Sequence, residues 1–172
     1  MFTELVVFST DLGWTGILTS EGLIQRTWIG HENRSSLLCR AGTNHAVVPV
    51  KRHSRMVGAL QKYCSGKRTA LDSLKIDESW MTPFQKQVTR ACRSIGWGQV
   101  LTYGQLAKIA GSPRASRAVG SVMANNRYPL IVPCHRVCSS TGIGGFSAPN
   151  GVALKQRLLA NEGRSVADAI SH

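Results

Sequence analysis

Apolar residues occur in short alternating runs at the start of the chain, and turn residues separate the runs. The runs span residues 5–8, 14–19 and 23–29. Asp11–Gly13 and Ser20–Gly22 lie between them and are typical of tight turns. The pattern therefore predicts a meander of three antiparallel strands.

The residues that follow, up to about position 75, predict a loop, a short strand and a helix. Residues 31–46 are polar and show no periodicity, which predicts a loop. Val47–Val50 is a candidate fourth strand, and Met56–Cys64 has the apolar spacing of a helix. We therefore predict that residues 1–75 form an N-terminal α/β domain with a small antiparallel sheet.

From Trp80 onward the apolar spacing becomes helical, which predicts a mainly helical C-terminal domain over residues 76–172. The predicted helices are residues 83–95 after the cap Thr82, 103–110 after the cap Thr102, 112–125 with Ser112 as cap and Pro113 at the first position, and 152–161. Gly111 ends the second of these helices, and its short connection to the third predicts a helix-turn-helix motif.

The charge of the chain is strongly positive and unevenly distributed. The formal net charge is +12, and residues 79–161 contain ten basic residues and no acidic one. Both signs of charge serve solubility, so an acid-free half indicates a polyanionic partner, most simply nucleic acid. A generally basic surface is the alternative explanation.

The sequence offers no sign of a membrane, secreted or metal-binding protein. No stretch approaches the roughly 20 apolar residues that cross a bilayer, and the N-terminus lacks the basic start of a signal peptide. We therefore expect a cytoplasmic protein, or a nuclear one in a eukaryote, without membrane association. The five cysteines lack the spacing of a disulfide framework. Cys134, His135 and Cys138 have no second ligand pair, so we expect no metal site.

The helix predicted at residues 112–125 has one side that is nearly bare of long side chains. Its apolar side consists of Ala115, Ala118, Val119, Val122 and Met123. The opposite side carries a single long cation among small residues, namely Arg117, Gly120, Ser121 and Ala124. A surface helix usually carries several long charged side chains, so the bare side indicates that another surface approaches closely. Packing against another helix is one explanation, but the charge pattern favours a groove of DNA.

A candidate nucleophile lies between an apolar run and two basic residues, in the string Pro133–Val137. Cysteine chemistry requires the thiolate, and nearby cations or a base lower the pKa of a thiol. Adjacent residues on an extended chain point in opposite directions, so His135 need not touch Cys134, and a water molecule can bridge them if the chain bends. A buried structural cysteine is the alternative.

These segments together resemble the O6-alkylguanine-DNA alkyltransferases, also called methylated-DNA–protein-cysteine methyltransferases. The matching segments are residues 133–137, 117–120, 125–126, 102–107 and 161–163, together with Lys155. The resemblance covers residues 80–163 closely and the N-terminal part in outline. It implies an α/β domain followed by a helical DNA-binding and catalytic domain.

The resemblance also implies a reaction that spends the protein. The target nucleotide is flipped out of the duplex, and Cys134 attacks the alkyl carbon on O6 of guanine, with O4 of thymine as a further site. The family assigns Glu162 to orient His135, and His135 to take the thiol proton through water. Asn126 matches the asparagine that buttresses this relay. Tyr103 matches the tyrosine that hydrogen-bonds N3 of the leaving guanine.

The implied partner is double-stranded DNA that carries O6-alkylguanine and is bound through the minor groove, by a monomer that needs no cofactor. Arg117 matches the arginine that enters the base stack where the nucleotide has left. The residues expected to contact DNA are Arg117, Tyr103, Gly104, Ser112, Gly120, Ser121 and Ser139, and those expected to line the substrate pocket are Val137, Phe146 and Ser147.

The chain departs from the family pattern beside the expected pocket. Phe146 stands where tyrosine is common, and Ser147–Gly151 is longer than the usual loop before Lys155. The N-terminal cysteines and histidines do not match the zinc cluster of some members. The alternative functions are a cysteine hydrolase, which would turn over without DNA, and a non-catalytic binder of alkylated DNA, which would have another residue in place of Cys134.

Overall fold

The computed structural model describes residues 3–164, which form two compact units. The first unit contains residues 3–77 and 127–129, and the second contains residues 78–126 and 130–164. The last eight residues of the predicted C-terminal domain lie outside the described range.

The short segment 127–129 differs from the predicted boundary, which placed it in the C-terminal domain. It returns to the first unit because two hydrogen bonds hold it against a strand there. The backbone N–H of Thr27 donates to the Arg127 carbonyl at 2.8 Å, and the Thr27 hydroxyl donates to the Pro129 carbonyl at 3.1 Å. A sequence boundary cannot show such a return, because these partners are about a hundred residues apart.

The first unit is built on a four-stranded sheet. Its strands are β1 (Glu4–Thr10), β2 (Gly13–Ser20), β3 (Leu23–His31) and β4 (Ala46–Val47), in the order β3-β2-β1-β4. The pairs β1–β2 and β2–β3 are antiparallel, which confirms the predicted meander, and β4 runs parallel to β1. The candidate strand at Val47–Val50 is therefore shorter than predicted and begins one residue earlier. Helix α2 (Ser54–Cys64) confirms the helix predicted after it.

The loop predicted at residues 31–46 is wrong, because the chain forms helix α1 (Arg34–Ala41) there. The Asn33 side chain caps the helix by accepting a hydrogen bond from the Ser36 N–H at 2.8 Å. Leu37 is fully buried against the sheet, in a cluster with Leu5, Leu18 and Trp28. One buried position is too little periodicity to predict a helix from sequence, and burial against the sheet decides the structure.

The second unit is mainly helical. Its elements are α3 (Pro83–Arg93), β5 (Leu101–Thr102), α4 (Tyr103–Ile109), α5 (Ser116–Ala124), β6 (Val137–Cys138) and α6 (Gly151–Asn161). Strands β5 and β6 pair in parallel. Thr82 and Thr102 both form capping boxes, with Gln85 and Gln105, which confirms the predicted starts of α3 and α4. No helix within residues 3–164 is long and apolar enough to span a membrane.

The predicted start of α5 is wrong by several residues. Ser112–Ala115 forms a turn instead, closed by a hydrogen bond from the Ala115 N–H to the Ser112 carbonyl at 2.9 Å. Pro113 takes the second position of this turn, where its fixed φ is equally suitable. The predicted apolar side is also narrower than expected, because Val119 and Met123 are buried whereas Ala118 is exposed.

We predict that Leu37→Ala lowers the free energy of unfolding by about 2–5 kcal/mol, since it removes a fully buried side chain from the packing of α1 on the sheet. A Cβ added at Gly16 would lie 2.9 Å from Leu37 Cδ2, so the site is closely packed. Urea denaturation followed by circular dichroism measures the loss. Leu38→Ala on the same helix is the control, because Leu38 is only half-buried. Equal losses in the two variants would contradict the packing of α1.

Candidate active site

The backbone around Cys134 bends sharply and does not run as an extended strand. Pro133 has φ −79° and ψ 63°, and the Cys134 N–H donates to the Val132 carbonyl at 2.8 Å, which is the geometry of an inverse γ-turn. A 3₁₀ turn over Cys134–Arg136 follows directly. The sequence analysis assumed an extended chain, in which Cys134 and His135 would point in opposite directions. That assumption does not apply, because the residues after Pro133 form a helical turn.

The Cys134 sulfur is held by the side chain of Asn126. The amide nitrogen Nδ2 of Asn126 donates to the Val132 carbonyl at 2.9 Å and to Cys134 Sγ at 3.1 Å. The first bond fixes the γ-turn, and the second places a donor on the sulfur. A donor of this kind favours the thiolate over the thiol.

Burial nevertheless controls the ionisation of Cys134. The residue is 8% exposed, and burial raises the pKa of its thiol above the ordinary value. The hydrogen bond from Asn126 and the charge of Lys155 oppose this effect without cancelling it. The cations and base near the cysteine therefore do not produce a resting thiolate at neutral pH. The thiol requires a base when it reacts.

A buried histidine lies directly after the cysteine in the same turn, and it contacts a buried carboxylate at the end of α6. His135 Nε2 is 2.9 Å from Glu162 Oε1, and both side chains are fully buried. Burial lowers the pKa of His135 despite the nearby carboxylate, so the imidazole is neutral at pH 7. With the proton on Nε2 donated to Glu162, the lone pair lies on Nδ1, which can accept a proton.

Arg136 completes the surroundings of Glu162, and sequence reasoning assigned it no role. Its Nε donates to both carboxylate oxygens of Glu162, at 3.1 and 2.9 Å, and its Nη2 donates to Oε1 at 2.8 Å. The remaining nitrogen Nη1 donates to the Ile95 carbonyl at 2.5 Å, and the Gly98 N–H donates to Oε2 at 3.0 Å. The sequence did contain one signal for this pairing. Glu162 is the first acidic residue after the acid-free stretch, and a buried carboxylate requires a cation as its partner.

Lys155 is a second buried cation near the sulfur. Its side chain is fully buried, and Nζ donates to the carbonyls of Val137 at 2.6 Å and Gly145 at 3.2 Å. Burial lowers the pKa of Lys155. The two carbonyls orient the ammonium group, which joins the strand after the cysteine to the loop before α6. The sequence analysis identified Lys155 as matching the family pattern but did not predict these contacts.

A cavity of about 150 Å³ opens beside Cys134. Its lining consists of Tyr103, Gly120, Met123, Ala124, Cys134, Gly145, Phe146 and Ser147. Phe146 and Ser147 were predicted to lie there, and the Ser147 hydroxyl donates to the Ala124 carbonyl at 2.8 Å. Val137, also predicted for the pocket, is fully buried and is not among these lining residues.

Tyr103 is the first residue of α4 and one wall of this cavity. A Cβ at Gly144 would lie 3.2 Å from the Tyr103 hydroxyl, and Gly144 has φ +75°, so a larger residue there would be both crowded and strained. Burial raises the pKa of Tyr103, so its hydroxyl keeps its proton and can donate a hydrogen bond.

The residues predicted to contact DNA differ in accessibility. Arg117 and Ser121 are exposed on α5, whereas Gly104, Ser112, Gly120 and Ser139 are half-buried. Arg117, Gly120 and Ala124 are spaced three and four residues apart, so they share one face of α5. Gly120 and Ala124 also line the cavity. Arg117 therefore lies on the same face of α5 as two of the residues that line the cavity.

Known proteins that resemble this chain are described as DNA methyltransferases. Residues 83–164 match the family profile described as 6-O-methylguanine DNA methyltransferase, DNA binding domain. The chain is 39% identical over 104 residues to the methylated-DNA–protein-cysteine methyltransferase of Metallosphaera sedula, which covers 60% of this chain and 64% of that relative. The chain spans less than two thirds of the length of the curated relatives it matches.

Solved structures resemble both units of the chain. The O6-methylguanine-DNA methyltransferase from Pyrococcus kodakaraensis is 30% identical with a TM-score of 0.74, and the likeness covers 93% of this chain and 99% of that one. The OGT of Mycobacterium tuberculosis in complex with DNA is 25% identical with a TM-score of 0.75, and covers 97% and 98% respectively.

We predict that Arg136→Met lowers the free energy of unfolding by about 3–5 kcal/mol, because it leaves the Glu162 carboxylate as a buried charge without its cation. Adding Glu162→Gln to this variant should recover part of the loss, since a neutral amide needs no counter-charge. Denaturant unfolding measures both effects.

The control for this prediction is Arg90→Met in the same unit. Arg90 pairs with Glu78 at 3.2 Å, but its side chain is 70% exposed, so the loss there should be at most about 1 kcal/mol. Similar losses at Arg136 and Arg90 would show that the Glu162 charge is solvated and does not depend on Arg136.

Proposed function

Because the chain belongs to the O6-methylguanine DNA methyltransferase family, we propose that it repairs double-stranded DNA by transferring alkyl groups from O6 of guanine to Cys134. The observation that carries the proposal is the cavity lined by Cys134, with Asn126 on the sulfur and with His135, the next residue in the turn, paired to the buried Glu162 carboxylate. A reactive sulfur at the wall of a cavity suits a substrate group that enters from outside.

The proposed proton transfer starts from a neutral Cys134 thiol and a neutral His135 imidazole. Cys134 has a raised pKa and His135 a lowered one, so at pH 7 neither is charged and a proton must move during the reaction. His135 takes the thiol proton at Nδ1 through a water molecule, while Glu162 stabilises the imidazolium that forms. Asn126 donates to the sulfur as its negative charge develops.

The bond changes account for a single turnover. The S–C bond forms as the C–O6 bond breaks, and the electron pair of that bond remains on the guanine. The Tyr103 hydroxyl donates to N3 of the leaving base, and the guanine gains overall the one proton that the thiol lost. The product is a thioether on Cys134, and no group described here would cleave it. Each protein molecule therefore acts once and needs no cofactor.

Helices α4 and α5 serve in this proposal as a helix-turn-helix that binds the minor groove. The small residues Gly120, Ser121 and Ala124 allow α5 to approach the DNA backbone closely. Gly120 and Ala124 line the cavity, so a base that leaves the stack beside α5 is already next to Cys134. The Arg117 side chain on the same face then fills the gap, which offsets part of the few kcal/mol that flipping costs. Few long side chains face the bases, as repair independent of sequence requires.

We predict that incubation with DNA containing O6-methylguanine adds one methyl group to the protein, on Cys134. Intact-protein mass spectrometry and peptide mapping measure the product. Cys134→Ser should remain unmodified, whereas Cys39→Ser should react like the wild type, because Cys39 is an exposed residue of α1 outside the site. Release of several product molecules per protein would contradict the single-turnover proposal and favour a hydrolase.

We predict that Arg117→Ala slows repair of O6-methylguanine in a duplex by roughly tenfold or more, but not the reaction with free O6-benzylguanine, if the wild type accepts that base. The estimate corresponds to about 1–3 kcal/mol for one stacking or charged side chain. Single-turnover kinetics on the two substrates measure the difference. Arg117→Lys should restore attraction to phosphates without planar stacking, and should rescue only part of the rate.

The control for Arg117 is Lys108→Ala, which removes an exposed cation of α4. If Lys108→Ala costs as much as Arg117→Ala, or if lysine replaces Arg117 fully, the arginine acts only as one cation among many. Equal losses with free base and duplex would instead show that Arg117 supports the structure of the active site, and the flipping role would be withdrawn.

A further inference from the structure

Three arginines come from separate segments of the first unit, and the charges of two of them act on the third, which lies over Trp28. The first is Arg26 on β3, two residues before Trp28 and therefore on the same face of the strand. Its guanidinium lies over the indole ring, 5.7 Å from the ring centroid. Trp28 is only 8% exposed, so the ring provides a fixed platform for a cation at the surface.

The second arginine is Arg40, in the last turn of α1. Helix α1 packs on the face of the sheet that contains Trp28, through Leu37, Leu38 and Ala41. This packing places α1 on the face of β3 that also contains Arg26. The charge of Arg40 lowers the pKa of Arg26, and it also contributes to the lowered pKa of His31 at the end of the same strand.

The third arginine is Arg127, in the segment that returns to the first unit. Its carbonyl accepts the hydrogen bond of the Thr27 N–H at 2.8 Å, so its backbone lies directly beside the residue that follows Arg26. Burial lowers the pKa of Arg26 first, and the charges of Arg127 and Arg40 lower it further. The cluster thus joins a strand, a helix end and a distant segment of the chain.

Like charges at close range repel one another, which costs free energy. Local contacts offset part of this cost, because the Trp28 ring attracts Arg26 and the C-terminal carbonyls of α1 attract Arg40. The same contacts hold the guanidinium groups in place before a ligand arrives. Planar guanidinium groups bind phosphate oxygens in pairs, so an anionic phosphate reverses the repulsion between them.

We propose that Arg26, Arg40 and Arg127 form a binding site for backbone phosphates of DNA in the first unit, in addition to the contacts of α4 and α5 in the second. The proposal rests on the proposed function, which supplies DNA as the partner. All three side chains are exposed, so the site is open at the surface, as contact with a continuous phosphate backbone requires. A small free phosphate would remain largely hydrated there and would bind weakly.

The experiment compares two triple variants of the full chain on undamaged duplex DNA. The first carries Arg26→Ala, Arg40→Ala and Arg127→Ala. The control carries Arg34→Ala, Arg55→Ala and Arg68→Ala, which removes the same charge from exposed positions of the same unit. Fluorescence anisotropy at a series of salt concentrations gives the slope of log affinity against log salt. Circular dichroism and thermal unfolding confirm that both variants are folded.

We expect the slope to become shallower by about 0.9 for each arginine–phosphate contact that the first variant loses, and to change much less in the control. Replacing the three arginines by lysine should restore most of the slope, because the charges remain. Equal slopes in the two alanine variants would overturn the proposal, since they would show a contribution from net charge alone.

A second measurement uses the wild-type protein and depends on no variant. Phenylglyoxal modifies accessible arginines, and peptide mass spectrometry locates the modification. Saturating duplex DNA should protect Arg26, Arg40 and Arg127, while Arg34 and Arg55 remain reactive; unprotected residues in the cluster would overturn the proposal. Methylation of wild-type Cys134 is measured in parallel. If Cys134 stays unmethylated the proposed function fails, whereas methylation without protection of the cluster refutes only this inference.

Discussion

The Glu162 carboxylate is the buried charge on which the geometry of the second unit depends. A carboxylate without partners inside a protein is unstable, and here Arg136, His135 and the Gly98 N–H surround it. The carboxylate and its partners come from three segments: Glu162 from the end of α6, His135 and Arg136 from the turn that contains Cys134, and Gly98 from the loop after α3. The same interaction therefore closes the fold of this unit and sets the orientation of the imidazole. A loss of charge balance at Glu162 would affect the structure and the chemistry together.

Burial also determines the protonation state of the Cys134 thiol before any reaction. The thiol pKa is raised although Asn126 and Lys155 favour the thiolate, because removal of water outweighs both. A protonated, nearly inaccessible thiol reacts slowly with oxidants and small electrophiles. This state suits a protein that is proposed to use its nucleophile only once. In the proposed reaction, the neutral His135 accepts the thiol proton when a substrate occupies the cavity.

In our proposal, helix α5 links DNA recognition to alkyl transfer because its residues are small. Gly120 and Ala124 leave space for the cavity, and the same small side chains leave the outer face free for a close neighbour. A helix with long charged residues at these positions would close the cavity and hold DNA at a distance. Our proposal also explains why residues 79–161 contain no acidic residue. An acidic side chain near this face of α5 would repel the phosphates of DNA. The arginine cluster around Trp28 extends this principle to the first unit.

Local sequence patterns were sufficient to predict the features that depend on neighbouring residues. The turns of the meander and the capping boxes at Thr82 and Thr102 each require only a few adjacent residues, so local patterns predicted them. The string around Cys134 and its combination with Arg117 and Glu162 indicated the family, because such combinations are rare. Tertiary structure decided what depends on distant partners. Helix α1 exists because Leu37 is buried against a sheet, and Ser112–Ala115 forms a turn where local signals also fit a helix. The role of Arg136 and the return of Arg127 to the first unit follow from pairings between residues far apart in the chain, and no local pattern records which residues will meet once the apolar surfaces are buried.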